Sequence, residues 1–128
     1  MALVGASAGA GSIALHLVAF GGTPTKLFAG VFGISPFLPT QMRVSELEWQ
    51  FDLFASRVGC SGAADPMDCL RSQNSTILQI ANVGMPYPGR TNNSLFPFTP
   101  AVDGNFLIDF PYRLFEEGKF VRVPTILG

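Results

Sequence analysis

Apolar positions dominate the first quarter of the chain, and its first charged side chain is Lys26. Ala2-Leu3-Val4 reads as a buried strand. The stretch from Ala8 to Phe20 is apolar nearly all round, as expected of a helix enclosed by protein on most sides. Phe20-Gly21-Gly22-Thr23-Pro24 ends that helix, and Leu27 to Ile34, rich in Phe, Val and Ile, reads as the next strand. Residues 2 to 34 therefore predict a strand-helix-strand unit, right-handed by the general rule for such crossovers. Ser35-Pro36-Phe37-Leu38-Pro39 breaks the second strand.

From Ser45 the period changes. Leu47, Phe51, Phe54 and Val58 recur at spacings of four, three and four, the pattern of an amphipathic helix. Ser45 and Glu48 form an S-x-x-E capping box at its start, and Gly59 stops it. Asp65-Pro66 suits an N-cap followed by proline at the first helical position, opening a short helix through Cys69-Leu70-Arg71. A second short helix follows Asn74-Ser75. Residues 84 to 101 form a Pro-, Gly- and Asn-rich excursion without periodicity, read as a surface or substrate-side loop. Pro111 to Glu117 reads as a short helix closed by Gly118, and Val123 to Leu127 as a strand. The chain contains no internal repeat.

Composition sharpens this picture. The chain has 128 residues, 48% hydrophobic and only 13% charged, which points to elements buried on most sides, as parallel sheets covered on both faces are. The length suits one small domain. A net charge of -1 offers no electrostatic footprint for nucleic acid. Ten prolines and fourteen glycines suit a loop-rich fold better than a helical bundle. The uncharged stretch of residues 1 to 25 raises the question of a signal peptide or transmembrane span. Met1-Ala2-Leu3-Val4 lacks a basic n-region, however, and Gly5, Gly9, Gly11, Gly21 and Gly22 interrupt any apolar span. A buried strand and helix account for it instead.

The chemistry concentrates at Gly5-Ala6-Ser7-Ala8-Gly9, a G-x-S-x-G pentapeptide with a strand before it and a helix after it. That context is what the nucleophile elbow of an α/β-hydrolase requires, with small neighbours because side chains there would collide with strand and helix. Ser7 is the candidate nucleophile. A serine hydroxyl needs an imidazole to take its proton, a carboxylate to orient the imidazole, and N–H groups to receive the oxyanion. Ser7 and the backbone N–H of Ala8 supply the first and part of the last. His16 is the single histidine, but nine residues along a helix place it about 13 Å from the elbow, so it reads as a packed helix residue. Asp103, Asp109, Glu116 and Glu117 are candidate acids only in principle, since Asp103-Gly104 reads as a turn and the Glu pair as the solvated end of a helix. Trp49 reads as packing.

The same glycines also fit G-x-x-x-G-x-G, the phosphate-cradling turn of short-chain dehydrogenases. That family pairs the turn with Tyr-x-x-x-Lys. Here Tyr87 is followed at that spacing by Thr91 and Tyr112 by Glu116, so the catalytic half is missing. Cys60 and Cys69, nine apart with no His cluster, suit a disulfide better than a metal site. Closing such a loop stabilises a fold by roughly 2 to 3 kcal/mol in the loop-entropy model. Asn74-Ser75-Thr76 and Asn92-Asn93-Ser94 are glycosylation sequons. With the cysteine pair they favour a secreted protein.

Beyond the elbow, the order of features resembles the type-B carboxylesterase and lipase family, which includes the cholinesterases, and within it the secreted fungal enzymes. The matching stretches are Val4 to Ala10, Leu27-Phe28-Ala29-Gly30-Val31, Gly59-Cys60 with Cys69-Leu70-Arg71, Phe98 to Gly104, and Gly118 to Gly128. The resemblance implies an α/β class chain, a partial α/β-hydrolase fold occupying residues 1–128 of a single domain with no second domain. It implies cleavage of small-molecule or lipid esters through an acyl-serine intermediate, with no cofactor and no metal. By position, Ser7 resembles the nucleophile, Ala8 an oxyanion donor, and Cys60 with Cys69 a disulfide of the family. Ala6 stands where the family usually has Glu. The family's glycine-rich oxyanion loop belongs before residue 1, and its acid and histidine belong after Gly128. The expectation is thus an internal segment of an esterase, inactive or nearly so alone. A noncatalytic interaction protein on the same fold is the alternative, distinguished by loss of the histidine or acid from the longer sequence.

Overall fold

The computed structural model describes residues 1–24, 26–91 and 96–128, so the Asn92 sequon lies outside the described residues. In chain order the elements are β1 (Ala2–Ala6), α1 (Ala8–Val18), β2 (Gly30–Ile34), β3 (Met42–Arg43), α2 (Val44–Arg57), α3 (Pro66–Ser72), α4 (Ser75–Ala81), β4 (Ala101–Val102), α5 (Pro111–Glu116) and β5 (Thr125–Leu127). Contacts divide the chain into two compact units, residues 1–43 with 99–128, and residues 44–98. Among the described residues no helix is long and apolar enough to cross a membrane.

The first unit is built on a parallel sheet of order β1-β2-β5, with α1 as the crossover from β1 to β2. Apolar residues of α1 recur on most of its circumference, so Ile13 and Leu17 pack onto Val31 and Val121, flanked by Leu3, Phe28, Phe115 and Val123. Leu15 and Val18 meet Leu107 and Leu114 on another side. The helix is shorter than its apolar run. A 3-10 turn occupies Ala19–Gly22, and Phe20 already has φ 52. The strand anticipated over Leu27 to Ile34 begins at Gly30, because Gly30 is the partner of Ala2 and β1 offers no further ladder for the residues before it. Likewise β5 begins at Thr125, opposite Val31, while Val123 turns into the core.

The expectation that the sheet is covered on both faces is not met. Side chains alternate across a strand, so Leu3 and Val31 face α1 while Val4, Phe32 and Ile126 share one register row on the other side. Those three are 73%, 40% and 63% exposed, with Ile34 beside them at 50%. The two-residue parallel pair β3–β4 was not anticipated, since so short a ladder has no readable period.

Two further details anchor this unit. Asp103 Oδ1 accepts hydrogen bonds from the N–H groups of Asn105 (3.0 Å) and Leu107 (2.9 Å), forming the turn expected at Asp103-Gly104. Helix α5 starts with Pro111 and closes at Gly118, where the Lys119 N–H bonds to the Leu114 carbonyl (2.8 Å).

In the second unit α2, α3 and α4 gather Ala55, Cys60 and Leu70, with Phe51, Phe54, Val58, Cys69 and Leu78 around them. Helix α2 begins at Val44, straight out of β3, so Ser45 lies inside its first turn and is not its N-cap. Its end is as expected. Gly59 takes φ 76, and the Cys60 and Gly59 N–H groups bond to the carbonyls of Ala55 (2.8 Å) and Ser56 (3.1 Å). This double closure satisfies carbonyls that the helix itself leaves open. Asp65 caps α3 through the N–H groups of Met67 and Asp68 (2.9 and 3.0 Å), with Pro66 at the first helical position, and Asn74 caps α4 through Thr76 N–H (2.8 Å). Arg57 donates to the carbonyls of Ala81, Val83 and Gly84 at 3.0–3.1 Å, tying down the end of α4. Trp49 packs edge-on against Tyr87, as a packing residue. Cys60 and Cys69 form a disulfide, buried at Cys60.

Two expected outcomes follow from these anchors. Replacing both cysteines by alanine lowers the unfolding free energy of the native protein by roughly 2 to 3 kcal/mol in urea titrations, as a loop of this length requires; an unchanged midpoint and slope would contradict that contribution. The Asn105 and Leu107 N–H groups hold the Asp103 carboxyl below its ordinary value. A depressed carboxyl stabilises the fold above its unfolded pKa, and that contribution is lost as pH falls through the folded one. Thermal midpoints therefore fall more steeply below about pH 4 in the wild type than in Asp103→Asn; parallel acid limbs would show that the turn draws nothing from the charge.

Candidate active site

Ser7 is the one residue between β1 and α1, and it is exposed. Its backbone has φ 51 and ψ -119, a positive φ on a residue with a side chain. Such conformations cost about 1 to 3 kcal/mol and persist only where the surroundings fix them. Here the Ser7 N–H donates to the Ile34 carbonyl (2.9 Å), and the Ser7 carbonyl accepts from the N–H groups of Gly11 and Phe37 (3.0 Å each). The turn is therefore held from the end of β2 as well as from its own helix.

Close approach explains most of the glycines around it. A Cβ on Gly5 would lie 2.6 Å from the Gly9 carbonyl carbon, so only glycine lets the first turn of α1 fold back over β1. A Cβ on Gly11 would lie 2.0 Å from the Phe37 oxygen. The expected collision does not extend to Gly9, where an added Cβ meets nothing within 4 Å, because that face of the turn points away from strand and loop. The same geometry bears on the phosphate-cradle reading. Gly5 and Gly11 are required by the chain's own backbone, whatever else approaches the turn.

Ala8 opens α1, and the first N–H groups of a helix have no acceptor within it. They carry the positive end of the helix dipole, and no acidic side chain occupies the first turn of α1 to neutralise it. Ala6 is the exposed last residue of β1. The arrangement can present a hydroxyl beside N–H donors at the tip of a turn.

Among the described residues no hydrogen bond or ion pair joins a titratable side chain to Ser7. His16 is exposed on α1, its ring edge-on to Phe106 at 5.5 Å. Asp103 is engaged in its turn. Asp109 lies 3.5 Å from Arg43 and 3.7 Å from Arg113, and its Oδ1 accepts the Phe110 N–H. Glu117 pairs with Lys119 at 2.7 Å in solvent. Among the described residues no three His, Cys, Asp or Glu side chains gather where a metal ion could be held. Sequence reasoning missed Ile34, Phe37 and Gly11 as supports of the turn. For Gly11 the third glycine was the available signal, but backbone donors and acceptors such as Phe37 and Ile34 leave no trace in residue type.

The carboxylesterase family model matches residues 1–128. Lipase 2 of Geotrichum candidum is 33% identical across 98% of the chain, and lipase 5 of Diutina rugosa 30% identical across 98%. The crystal structure of Aspergillus niger EstA superposes with a TM-score of 0.90 and 43% identity over 97% of the chain. The chain spans 24% of the length of each of these three proteins. With its strand-turn-helix, its parallel sheet and a family match over residues 1–128, the chain belongs to the carboxylesterase family of the α/β-hydrolase fold, on the branch of type-B esterases and lipases.

Proposed function

We propose that this chain carries the nucleophile of a serine carboxylic-ester hydrolase that works through an acyl-serine intermediate. The observation that carries the reading is Ser7: an exposed serine at positive φ between β1 and α1, next to the open N-terminus of the helix. In this reading the Ser7 hydroxyl attacks the ester carbonyl and the Ala8 N–H receives part of the developing negative charge. The proton passes to an imidazole outside these 128 residues, since His16 faces Phe106 about 13 Å along the helix from the elbow. The substrate is a small-molecule or lipid ester with a largely apolar acid or alcohol, a class supported by the lipases among its relatives.

Two observations support the reading that the chain acts as a segment of a larger hydrolase. The relatives are about four times its length, and the sheet leaves Val4, Phe32 and Ile126 on an open face. Burying a fully exposed apolar side chain is worth about 1.5 to 3 kcal/mol, and these partly exposed ones gain a share of that, so a sheet of this kind is stabilised by further covering elements. The disulfide and the exposed Asn74 sequon support a secreted parent, with Asn74 and Asn92 as its candidate glycosylation sites.

A serine-directed fluorophosphonate labels the native protein carrying this sequence, and Ser7→Ala abolishes both labelling and aryl-ester turnover, by on the order of a thousandfold or more. Labelling that persists in Ser7→Ala would exclude Ser7. The 128-residue chain alone turns over the same ester no faster than its Ser7→Ala variant; Ser7-dependent turnover by it would contradict the proposed division of the triad.

A further inference from the structure

The turn that bears Ser7 is not built by the pentapeptide alone. Its N–H and its carbonyl are both bound by the chain that leaves β2: the Ile34 carbonyl takes the first, the Phe37 N–H supplies the second. Between them Ser35 adopts φ 48, a left-handed conformation that sends the chain back toward α1. Pro36 follows, with φ fixed by its ring. The return is tight, since the Phe37 oxygen occupies the place where a Cβ on Gly11 would sit. Gly11 in turn donates its own N–H to the Ser7 carbonyl. Ser7, Gly11 and Phe37 thus form a closed backbone triangle: two N–H donors converge on one carbonyl, and the two donor residues press against each other.

We propose that Gly11 and Phe37 are positioning residues for the nucleophile, clamping the Ser7 carbonyl so that the residue stays at positive φ with its hydroxyl presented. The clamp acts through backbone atoms. The Phe37 side chain is 40% exposed, and the N–H that binds the Ser7 carbonyl is one that any residue but proline supplies. Proline at residue 37 removes the donor and places a ring carbon toward the Ser7 carbonyl. Alanine at residue 11 drives the Phe37 carbonyl outward and opens the triangle from the other side. Gly22, in the 3-10 turn beyond α1, provides a control for crowding at a site other than the Ser7 turn. A Cβ there would lie 2.3 Å from the Phe120 nitrogen.

This inference rests on the reading of Ser7 as nucleophile, and the experiment separates the two. Phosphonylation rates at Ser7, normalised to the folded fraction from circular dichroism, are compared in the native protein carrying this sequence and in Gly11→Ala, Phe37→Pro, Phe37→Ala and Gly22→Ala. Aryl-ester kcat and KM are measured alongside. Gly11→Ala and Phe37→Pro label about 10- to 100-fold more slowly, with the loss in kcat and not in KM, as a displaced reacting group requires. Phe37→Ala and Gly22→Ala label within about twofold of wild type per folded molecule, whatever their stability. Should Gly11→Ala fail to fold, Phe37→Pro against Phe37→Ala decides the question alone. Rates in Gly11→Ala and Phe37→Pro matching those of Gly22→Ala, with wild-type Ser7 labelled, would overturn the clamp and leave the nucleophile standing. A wild-type protein unlabelled at Ser7 would overturn both.

Discussion

The structure depends on how closely the first turn of α1 can approach the strand that feeds it. With glycine at residue 5, the Gly9 carbonyl can lie where a Cβ would otherwise project, and the chain reverses from strand to helix across the single residue Ser7. That reversal puts Ser7 at positive φ, a conformation that no local preference of serine favours. It survives because β2 lies alongside in parallel register and offers the Ile34 carbonyl at the point where the Ser7 N–H emerges. Sheet pairing, helix approach and an exposed hydroxyl are therefore one arrangement described at three scales.

The core supports this from below. Ile13 and Leu17 seat α1 on Val31 and Val121, and Leu15 and Val18 seat it on Leu107 and Leu114, so the helix is fixed on two sides and cannot roll away from the sheet. With the helix fixed, its N-terminal N–H groups are fixed beside Ser7. Buried packing thereby sets the polar geometry of the turn, an example of rigid elements fixing a site that lies on a loop between them.

Much of this is legible in the sequence. The apolar run with its glycine punctuation gave the strand-helix-strand unit, and the turn residues Asp65, Asn74, Gly59 and Gly118 fell where caps and stops belong. Residue type encodes caps because a side-chain oxygen or a missing Cβ is the active feature. The misreadings have the opposite character. Ser45 carries the capping signature but sits inside α2, because β3 runs directly into the helix and leaves no separate cap. The starts of β2 and β5 are set by where β1 begins and which residue of β2 faces Thr125, facts of the partner strand and not of the strand itself. Phe37 supports the elbow through a peptide N–H that any residue but proline would supply. The open face beside Val4 and Phe32 reads in sequence like the buried strands it resembles, since only three dimensions tell which face has a neighbour.

The central claim is that the hydroxyl raised on this bend takes up the acyl group. Rapid quenching of the native protein during turnover of a slowly deacylating aryl ester, followed by peptide mass spectrometry, tests it most directly. The account predicts an acyl mass increment on the peptide containing Ser7, appearing at the rate of the product burst and lost on deacylation. Sustained ester turnover with that peptide unmodified and the acyl group carried on another residue would contradict it.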